Sequence, residues 1–433
     1  MDPIVIGVLG IVFLLIIISV GIHIGIALGV TGFLVMSFIM GVNAAMRMAT
    51  ESIYFANASY ALVTLPLFIL MGYLGAGGGI SKILYDGLSK WTGKLRGSLG
   101  IATVLGCAGF GAVCGSSIVT AAVFAKVSAP EMRRHGYHKK IAYGLCSAAG
   151  SIGILIPPSI LAVLYGILTG LSVGKLLIAG IGPGLLLTLL FSLQIYFTAR
   201  FRPNLIAPVT KESSWRERIA TIPSFWPVII TALVIFGGIF SGIFSPTEAA
   251  AVGTLVIFLL LVVTKRRQSW KMLKESLKDT ASTSAMVFLT MAGACVFSRS
   301  LVATDLSEKV VEIILGLQIG NFWLILLLVG VYLFLGCLMD SISMLTITIP
   351  ILNPVIIKLG IDPYYFALIV IVSTQVGIIT PPFGLSVFTV KGVAESDVTL
   401  EDVFSGAMHY FYIMVASIVL LMLFPFLITG LIS

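Results

Sequence analysis

Long apolar stretches, separated by short clusters of charge, make up most of this 433-residue chain. Eleven stretches contain no Asp, Glu, Lys or Arg: residues 3–46, 97–125, 141–174, 176–199, 219–247, 249–264, 281–298, 313–339, 341–357, 363–390 and 403–433. A helix needs about 20 apolar residues to cross a bilayer, so most of these can cross once or fold back within it. The pattern predicts an all-α polytopic membrane protein.

One block of this pattern occurs twice. Residues 106–160 and 330–384 align without a gap at an offset of 224, which matches Gly106 with Gly330, Ser117 with Ser341 and Gly153 with Gly377. The Pro-Pro pairs at 157–158 and 381–382 match as well. A repeated apolar block interrupted by Gly, Ser and Pro-Pro is typical of transporters built from two related halves.

Composition supports the membrane assignment. The chain is 58% hydrophobic and 10% charged, whereas soluble proteins carry about 25% charged residues. The net charge of +8 does not indicate a nucleic-acid partner, because the basic residues concentrate in four clusters, at residues 82–96, 133–140, 200–218 and 265–278. The N-terminus has no basic region ahead of its apolar run, so no cleavable signal peptide is expected.

The basic clusters also predict the topology, because positively charged loops stay in the cytoplasm. Residues 97–128 lie between two such clusters and must enter and return, as a re-entrant hairpin. Residues 3–40 are predicted to form one long span from a cytoplasmic N-terminus, tilted or broken near Gly29 and Gly32. Counting onward places the C-terminus in the periplasm. Residues 211–222 and 268–279 mix charge with Trp and Leu and predict amphipathic surface helices.

The two repeats are predicted to be inverted. The first hairpin is followed by the basic segment 132–140, whereas the second, at about 322–352, is followed by the nearly neutral segment 358–362. Opposite orientations in the membrane would produce this difference. We expect N-terminal scaffold spans at 1–80, a first repeat at 81–200, central scaffold spans at 201–280, and a second repeat with a final span at 281–433.

The hairpin tips are rich in Gly and Ser, which expose backbone carbonyls beside hydroxyls. Such backbone is tolerated at membrane depth only where it is buried in protein or lines a cavity. Hard oxygen atoms suit a partly dehydrated Na⁺, although Gly and Ser also serve tight helix packing. Their repetition favours two Na⁺ sites, the first at Ser116, Ser117 and Gly153 and the second at Asp340, Ser341, Gly377 and Thr380.

Each Pro-Pro pair removes two amide donors and divides a span into half-helices. The N-terminal end of a half-helix suits an anion. We therefore predict Ser159, with Pro157 and Pro381 at the unwound centres, for a substrate carboxylate. Arg299 is a further candidate, although it could instead pair with the intramembrane Asp340 or extend to the outer interface. No nucleophile–base pair, metal-ligand cluster or phosphate loop is present in the sequence, so an enzyme is not expected.

The whole chain resembles the large membrane subunit of tripartite ATP-independent periplasmic (TRAP) transporters, within the ion-transporter superfamily. The resemblance rests on Gly115-Ser-Ser117, Ala129-Pro130, Ile156-Pro-Pro-Ser159, Ser245-Pro-Thr-Glu-Ala-Ala250 and Thr380-Pro-Pro-Phe-Gly384. It implies an elevator mechanism, Na⁺ coupling at two or more sites and a bacterial inner membrane. It also implies a periplasmic binding protein that delivers an organic acid, such as a sialic acid, a C4-dicarboxylate or a sugar acid.

The same resemblance implies a small membrane subunit, here expected as a separate chain because the sequence begins directly at its first span. Two other functions stay open at this point. One is a stand-alone Na⁺/carboxylate symporter of the same superfamily, which needs no binding protein. The other is a channel or ion-conducting scaffold.

Overall fold

The computed structural model describes residues 2–206, 214–266, 268–316, 319–382 and 384–432. Within these ranges the chain is helical, apart from turns and an isolated bridge between Tyr137 and Ile206. Seven of the described helices are long and apolar enough to cross a membrane. The prediction of an all-α polytopic membrane protein is confirmed. Phe383, and residues 211–213 of the first expected surface helix, lie outside the described residues.

The N-terminal part contains five helices: α1 (Pro3–Ser19), α2 (Ile24–Met40), α3 (Val42–Asn57), α4 (Thr64–Gly77) and α5 (Ile80–Thr92). The prediction of one span over residues 3–40 is therefore wrong. Gly21 takes a φ of +89°, which ends α1, and the His23 ring accepts from the Gly25 amide at 3.2 Å to begin α2. Gly10 packs against Val35, so α1 and α2 are antiparallel.

The first repeat follows, as α6 (Ser98–Cys114), α7 (Ser117–Val127), α8 (Ala129–Arg134), α9 (Lys139–Ala149), α10 (Ile152–Leu155), α11 (Ile160–Thr169), α12 (Val173–Ala179) and α13 (Ile181–Phe201). Helices α6 and α7 form the predicted hairpin. At about 1.5 Å per residue, the 11-residue α7 is too short to cross a bilayer of about 30 Å, as a re-entrant arm should be. The predicted break follows α10, where the chain bends by 46°.

The central helices are α14 (Trp215–Ile219), α15 (Trp226–Phe240), α16 (Pro246–Lys265) and α17 (Gln268–Ala303). Ser245 and Glu248 form a capping box that begins α16. Residues 268–279 were expected to form a separate surface helix, and this prediction is wrong. They are the first third of the 36-residue α17, because the sequence has no Gly or Pro between Gln268 and Gly293 to end the helix.

Close backbone contact joins α2 to α17. A Cβ atom on Gly25 would lie 2.7 Å from the Leu289 carbonyl, and one on Gly32 would lie 2.8 Å from the Phe297 backbone. Gly29 faces Gly293 between them. The glycines of α2, predicted to break a span, instead allow two helices to approach. Because the contact positions rise together along both helices, α2 and α17 run in the same direction.

The second repeat contains α18 (Leu306–Gly316), α19 (Asn321–Gly336), α20 (Ser341–Lys358), α21 (Pro363–Gly377), α22 (Leu385–Val393), α23 (Leu400–Leu423) and α24 (Phe426–Thr429). Helices α19 and α20 form the second predicted hairpin. Helices α21 and α22 flank the second break. The packing is reciprocal, since α22 contacts α7 and α9 of the first repeat, and α11 contacts α20 and α21 of the second.

Ion pairs show that the repeats are inverted. Arg133 donates to Asp397 at 2.8 Å and Lys139 to Asp402 at 2.7 Å. Lys139 is the first residue of α9, whereas Asp397 follows the end of α22. The first broken helix thus starts where the second one ends, so the two run in opposite directions. The Arg133 guanidinium also holds the pKa of Asp397 below its usual value.

A substitution at Gly406 tests the contact between the repeats. A Cβ atom there would overlap the Lys140 carbonyl oxygen, whereas nothing lies within 4 Å of one on Gly392. We expect Gly406→Ala to lower the free energy of unfolding by about 1–3 kcal/mol, because α9 and α23 must separate. Gly392→Ala, in α22, should instead raise it by up to about 1 kcal/mol. Thermal unfolding of the purified proteins measures both, and equal midpoints would contradict the packing.

Candidate ion-binding and substrate-binding sites

The tip of the first hairpin docks into the first helix break. Gly115 has a φ of +64°, and a Cβ atom there would lie 2.5 Å from the Pro158 carbonyl oxygen. The Ile160 amide donates to the Gly115 carbonyl oxygen at 3.3 Å. Ser116 caps α7 by accepting from the Val119 amide at 3.4 Å. The hairpin therefore forms hydrogen bonds with backbone groups that have no partner within the broken helix.

Predicted ligands of the first ion site come together at this junction. Ser116 and Ser117 begin α7, and Ser117 is buried. Gly153 lies between the two arms of the hairpin. A Cβ atom on Gly153 would lie 2.5 Å from the Thr120 hydroxyl oxygen, and one on Gly111 would lie 2.9 Å from the Gly153 Cα. Only a glycine fits such a gap, so its carbonyl is held close to the hairpin.

Two hydroxyls that sequence reasoning missed lie in the same hairpin and broken helix. Thr120 and Ser151 are 0% exposed, and among the described residues neither hydroxyl oxygen has an oxygen or nitrogen atom as a hydrogen-bond partner; the Cys114 thiol is the one polar group beside Thr120. A buried polar atom without a partner is costly and needs an explanation. Both residues lie within the repeated block 106–160, Thr120 in the hairpin and Ser151 ahead of the Pro-Pro pair. Only the packing of α7 against α9 and α10 shows that they are unpartnered.

The second hairpin tip meets the second broken helix through Gly336 and Gly377, whose backbones are in direct contact. Next to this contact, Gln375 is fully buried, and its amide nitrogen donates to the Ser341 hydroxyl at 3.2 Å. The Gln375 side-chain oxygen has no hydrogen-bond partner among the described residues. Gln375 stands 224 residues after Ser151, at the matching position of the repeat. Both copies therefore leave a buried side-chain oxygen unpartnered at the same place.

Asp340 has a local role at the second tip. Its carboxylate accepts from the Ile342 amide at 3.0 Å, from the Ser343 amide at 3.2 Å and from the Ser343 hydroxyl. It therefore caps α20, and it faces a cavity of about 250 Å³ shared with His23 and Thr290. The hydroxyl of Thr380 donates to the Val376 carbonyl at 2.8 Å. Of the four predicted ligands of the second site, Ser341 and Gly377 lie at the junction, whereas Asp340 faces the cavity and Thr380 bonds within its own turn.

The residues predicted for the substrate are spread over two places. Ser159 and Pro157 are buried at the first break, where Ser159 caps α11 by accepting from the Ala162 amide at 3.2 Å. Pro381 is exposed at the second break. Arg299 lies on α17, away from both breaks. Within the described residues no ion pair joins Arg299 to Asp340.

Arg299 lines a cavity of about 490 Å³. Its walls come from α3, α11, α17 and α20, and include the polar residues Ser52, Ser59, Ser298 and Asn353. Arg299 is the one charged residue among the described residues of its lining. A volume of several hundred Å³ is typical of sites for small organic ligands. The geometry suits an organic anion held by one guanidinium and several neutral donors.

The fold and these junctions define a membrane transporter with two inverted halves, and comparisons with known proteins agree. The family of the DctM component of tripartite ATP-independent periplasmic transporters matches residues 9–427. The chain is 34% identical to the C4-dicarboxylate TRAP transporter large permease protein DctM of Pseudomonas aeruginosa, over 80% of this chain and 81% of that protein. It is 32% identical to the sialic acid permease SiaM of Vibrio cholerae, over 84% and 83%.

The chain belongs to the DctM family, the large permease component of TRAP transporters. Its relatives are named as permeases, so it is a transport protein and not an enzyme. A solved structure of the YdaH transporter from Alcanivorax borkumensis aligns with a TM-score of 0.61 over 88% of each chain, at 16% identity. That likeness concerns the fold alone.

The unpartnered hydroxyl of Thr120 provides a test of the first site. Thr120→Val removes an oxygen whose only polar neighbour among the described residues is the Cys114 thiol, a weak hydrogen-bonding group, so the free energy of unfolding in Na⁺-free buffer should change by less than about 1 kcal/mol. Stabilisation by added Na⁺ should fall, because bound Na⁺ would lose a ligand. Thermal unfolding in NaCl and in choline chloride measures the difference.

The matched control for this experiment is Thr188→Val. Thr188 is also buried, but its hydroxyl donates to the Gly184 carbonyl at 2.7 Å within α13. This variant should keep the full response to Na⁺ even if it is less stable. An undiminished Na⁺ response in Thr120→Val would exclude Thr120 from an ion site.

Proposed function

We propose that this chain carries out Na⁺-coupled uptake of an organic acid anion across the bacterial inner membrane. The observation that carries the proposal is the pair of matching junctions, each with a hairpin tip in a helix break and a buried oxygen left without a partner. Na⁺ prefers such hard oxygen atoms, and sites of this kind at the meeting of two repeats are typical of secondary transporters.

The two ion sites are proposed at residues that the sequence and the packing select together. The first uses oxygen atoms of Ser116, Ser117 and Gly153, and we add Thr120 and Ser151 because both hydroxyls are buried there. The second uses Asp340, Ser341, Gly377 and Thr380, and we add Gln375 because its buried amide bonds to Ser341. Each site unites a hairpin with a broken helix, so a bound Na⁺ would hold the two together.

The substrate is proposed to be an organic anion that uses the Arg299 cavity. Relatives are named for C4-dicarboxylates, for sialic acid and for ectoine, and all three kinds of compound carry a carboxylate. Two groups of helices form the walls of the cavity. Helices α11 and α20 belong to the repeats, which pack against each other, whereas α3 and α17 lie outside that reciprocal packing. An elevator movement of the repeats past α3 and α17 would carry a ligand held there.

Two partners complete the proposed system. A periplasmic binding protein delivers the substrate, and a small membrane subunit, as a separate chain, packs against this one. Support comes from the family, whose description names a tripartite periplasmic transporter. The exposed apolar side chains of α1 and α2 offer a surface on which a membrane subunit is proposed to pack.

Helix directions revise the orientation expected for the N-terminus. The basic cluster at residues 265–278 places the Lys265 end of α16 in the cytoplasm. Helix α17 begins there, so it runs from the cytoplasm towards the periplasm. Because α2 is parallel to α17 and antiparallel to α1, the Pro3 end of α1 is proposed to face the periplasm. The Lys139 end of α9 is cytoplasmic and adjoins the start of α23 at Asp402, so the C-terminal end of α23 faces the periplasm, as expected.

Cysteine labelling tests this orientation. In a background without the native cysteines, Ser19→Cys should react with an impermeant maleimide from the cytoplasmic side, because Ser19 ends α1 next to the turn. Asn43→Cys, at the start of α3, should react from the periplasmic side. A single span over residues 3–40 would bury residue 19 in the bilayer, so an unreactive Ser19→Cys would contradict the antiparallel pair.

Uptake into proteoliposomes tests the function. We expect saturable uptake that requires a Na⁺ gradient, the small subunit and the cognate binding protein, and we expect Ser117→Ala to lose its Na⁺ requirement along with most of its rate. Full Na⁺ stimulation in Ser117→Ala would contradict the first site. Uptake without a binding protein would indicate a stand-alone symporter, and unsaturable, uncoupled flux would indicate a channel. A panel of organic acids with the cognate binding protein identifies the substrate.

A further inference from the structure

Arg218, in the short helix α14, is a buried cation to which the described residues offer no anion. It is 7% exposed, and its Nε and Nη2 atoms have no hydrogen-bond partner within the part of the chain that the structure describes. No described carboxylate forms an ion pair with it. The neighbouring Glu217 is engaged elsewhere, accepting from the Ser214 amide at 3.2 Å. Because arginine stays charged in proteins, a guanidinium in this position needs an anion that the described residues do not supply.

The surface around Arg218 is apolar and aromatic. Trp215 is 68% exposed and Ile219 is 58% exposed, and Ile222 and Trp226 follow with large exposed fractions. The Trp215 ring centre lies 5.2 Å from the guanidinium carbon of Arg218, so the exposed ring packs on the cation in a cation–π contact. Exposed Trp and Ile beside Arg, just ahead of the membrane helix α15, are typical of a segment that lies in the membrane interface.

We propose that Arg218 binds the phosphate of an anionic phospholipid from the cytoplasmic leaflet. The headgroup reaches the guanidinium past the Trp215 ring, and Trp215 and Ile219 lie among the upper acyl chains. A free phosphate ion would use the guanidinium but would leave these apolar side chains in water, so the surface favours a lipid. Guanidinium and phosphate form charge-assisted hydrogen bonds, which supply the missing partners.

Lipid bound here would stabilise the connection between α5 and α15. The Arg218 carbonyl accepts from the Thr221 hydroxyl at 2.6 Å, and Thr221 in turn accepts from the Trp91 ring nitrogen of α5 at 3.0 Å. Phe225 packs against Gly87 of the same helix. A lipid that holds Arg218 therefore also holds the segment that links α14 to α5.

The test is retention of phosphatidylglycerol by the full chain in mixed phosphatidylglycerol–phosphatidylcholine nanodiscs, measured by native mass spectrometry after extraction. We expect Arg218→Gln to retain phosphatidylglycerol about tenfold more weakly. The matched control is Arg216→Gln, because Arg216 lies on the same helix but is exposed. It should weaken retention by about twofold or less, since water and salt screen its charge. Equal retention in wild type and Arg218→Gln, or equal losses in both variants, would overturn the proposal.

Two further measurements keep the proposal testable if Arg218→Gln folds poorly. Trp215→Ala keeps the guanidinium and should still weaken phosphatidylglycerol retention several-fold, because the acyl-chain contact is lost; unchanged retention would count against a lipid. Inorganic phosphate at millimolar concentration should give less thermal stabilisation than phosphatidylglycerol. Equal stabilisation by the two would identify a free phosphate site and overturn the lipid assignment.

Discussion

The architecture depends on one constraint: two helices are interrupted at membrane depth, and the peptide groups freed there cannot be hydrated by lipid. Each break is therefore covered by the tip of a hairpin from the same repeat. In the first repeat the Gly115 carbonyl accepts from Ile160, immediately after Pro157 and Pro158. In the second, Gly336 lies directly against Gly377. Such contacts require residues without side chains, which is why glycine is concentrated where hairpin and broken helix meet.

The structure has two such junctions because the sequence repeats. The junctions differ where the two copies of the repeat carry different residues. Ser151 and Gln375 occupy matching positions, and each leaves a buried oxygen unpartnered. The hairpin tips differ more, because Ser116 in the first copy corresponds to Asp340 in the second. The Asp340 carboxylate caps α20, and Asp340 faces a cavity that α2 and α17 also line. The second hairpin tip thus has a carboxyl group at the position where the first has a hydroxyl, so the two tips differ in the oxygen atoms that they present.

Most of the secondary structure could be predicted from local features, and the failures have identifiable causes. Pro-Pro pairs and Gly-rich tips act through backbone geometry, so both breaks and both hairpins were correctly placed. The span over residues 3–40 was wrong because an uncharged run does not show where it turns; Gly21 and His23 supply the turn, but Gly29 and Gly32 looked equally suitable. The surface helix at 268–279 was wrong because amphipathic character does not end a helix, and no residue there does.

The sequence by itself determined the class of protein, the inverted relation of the two halves and the residues able to supply hard oxygen atoms. These properties follow from composition, charge and glycine or proline at given positions, which act over a few residues. Only the tertiary structure decided which oxygen atoms lack partners, since Thr120, Ser151 and Gln375 resemble ordinary packing residues until neighbouring helices enclose them. It also decided that Arg299 lines a cavity, and that Arg218 is buried where no described carboxylate pairs with it, because burial depends on elements distant along the chain.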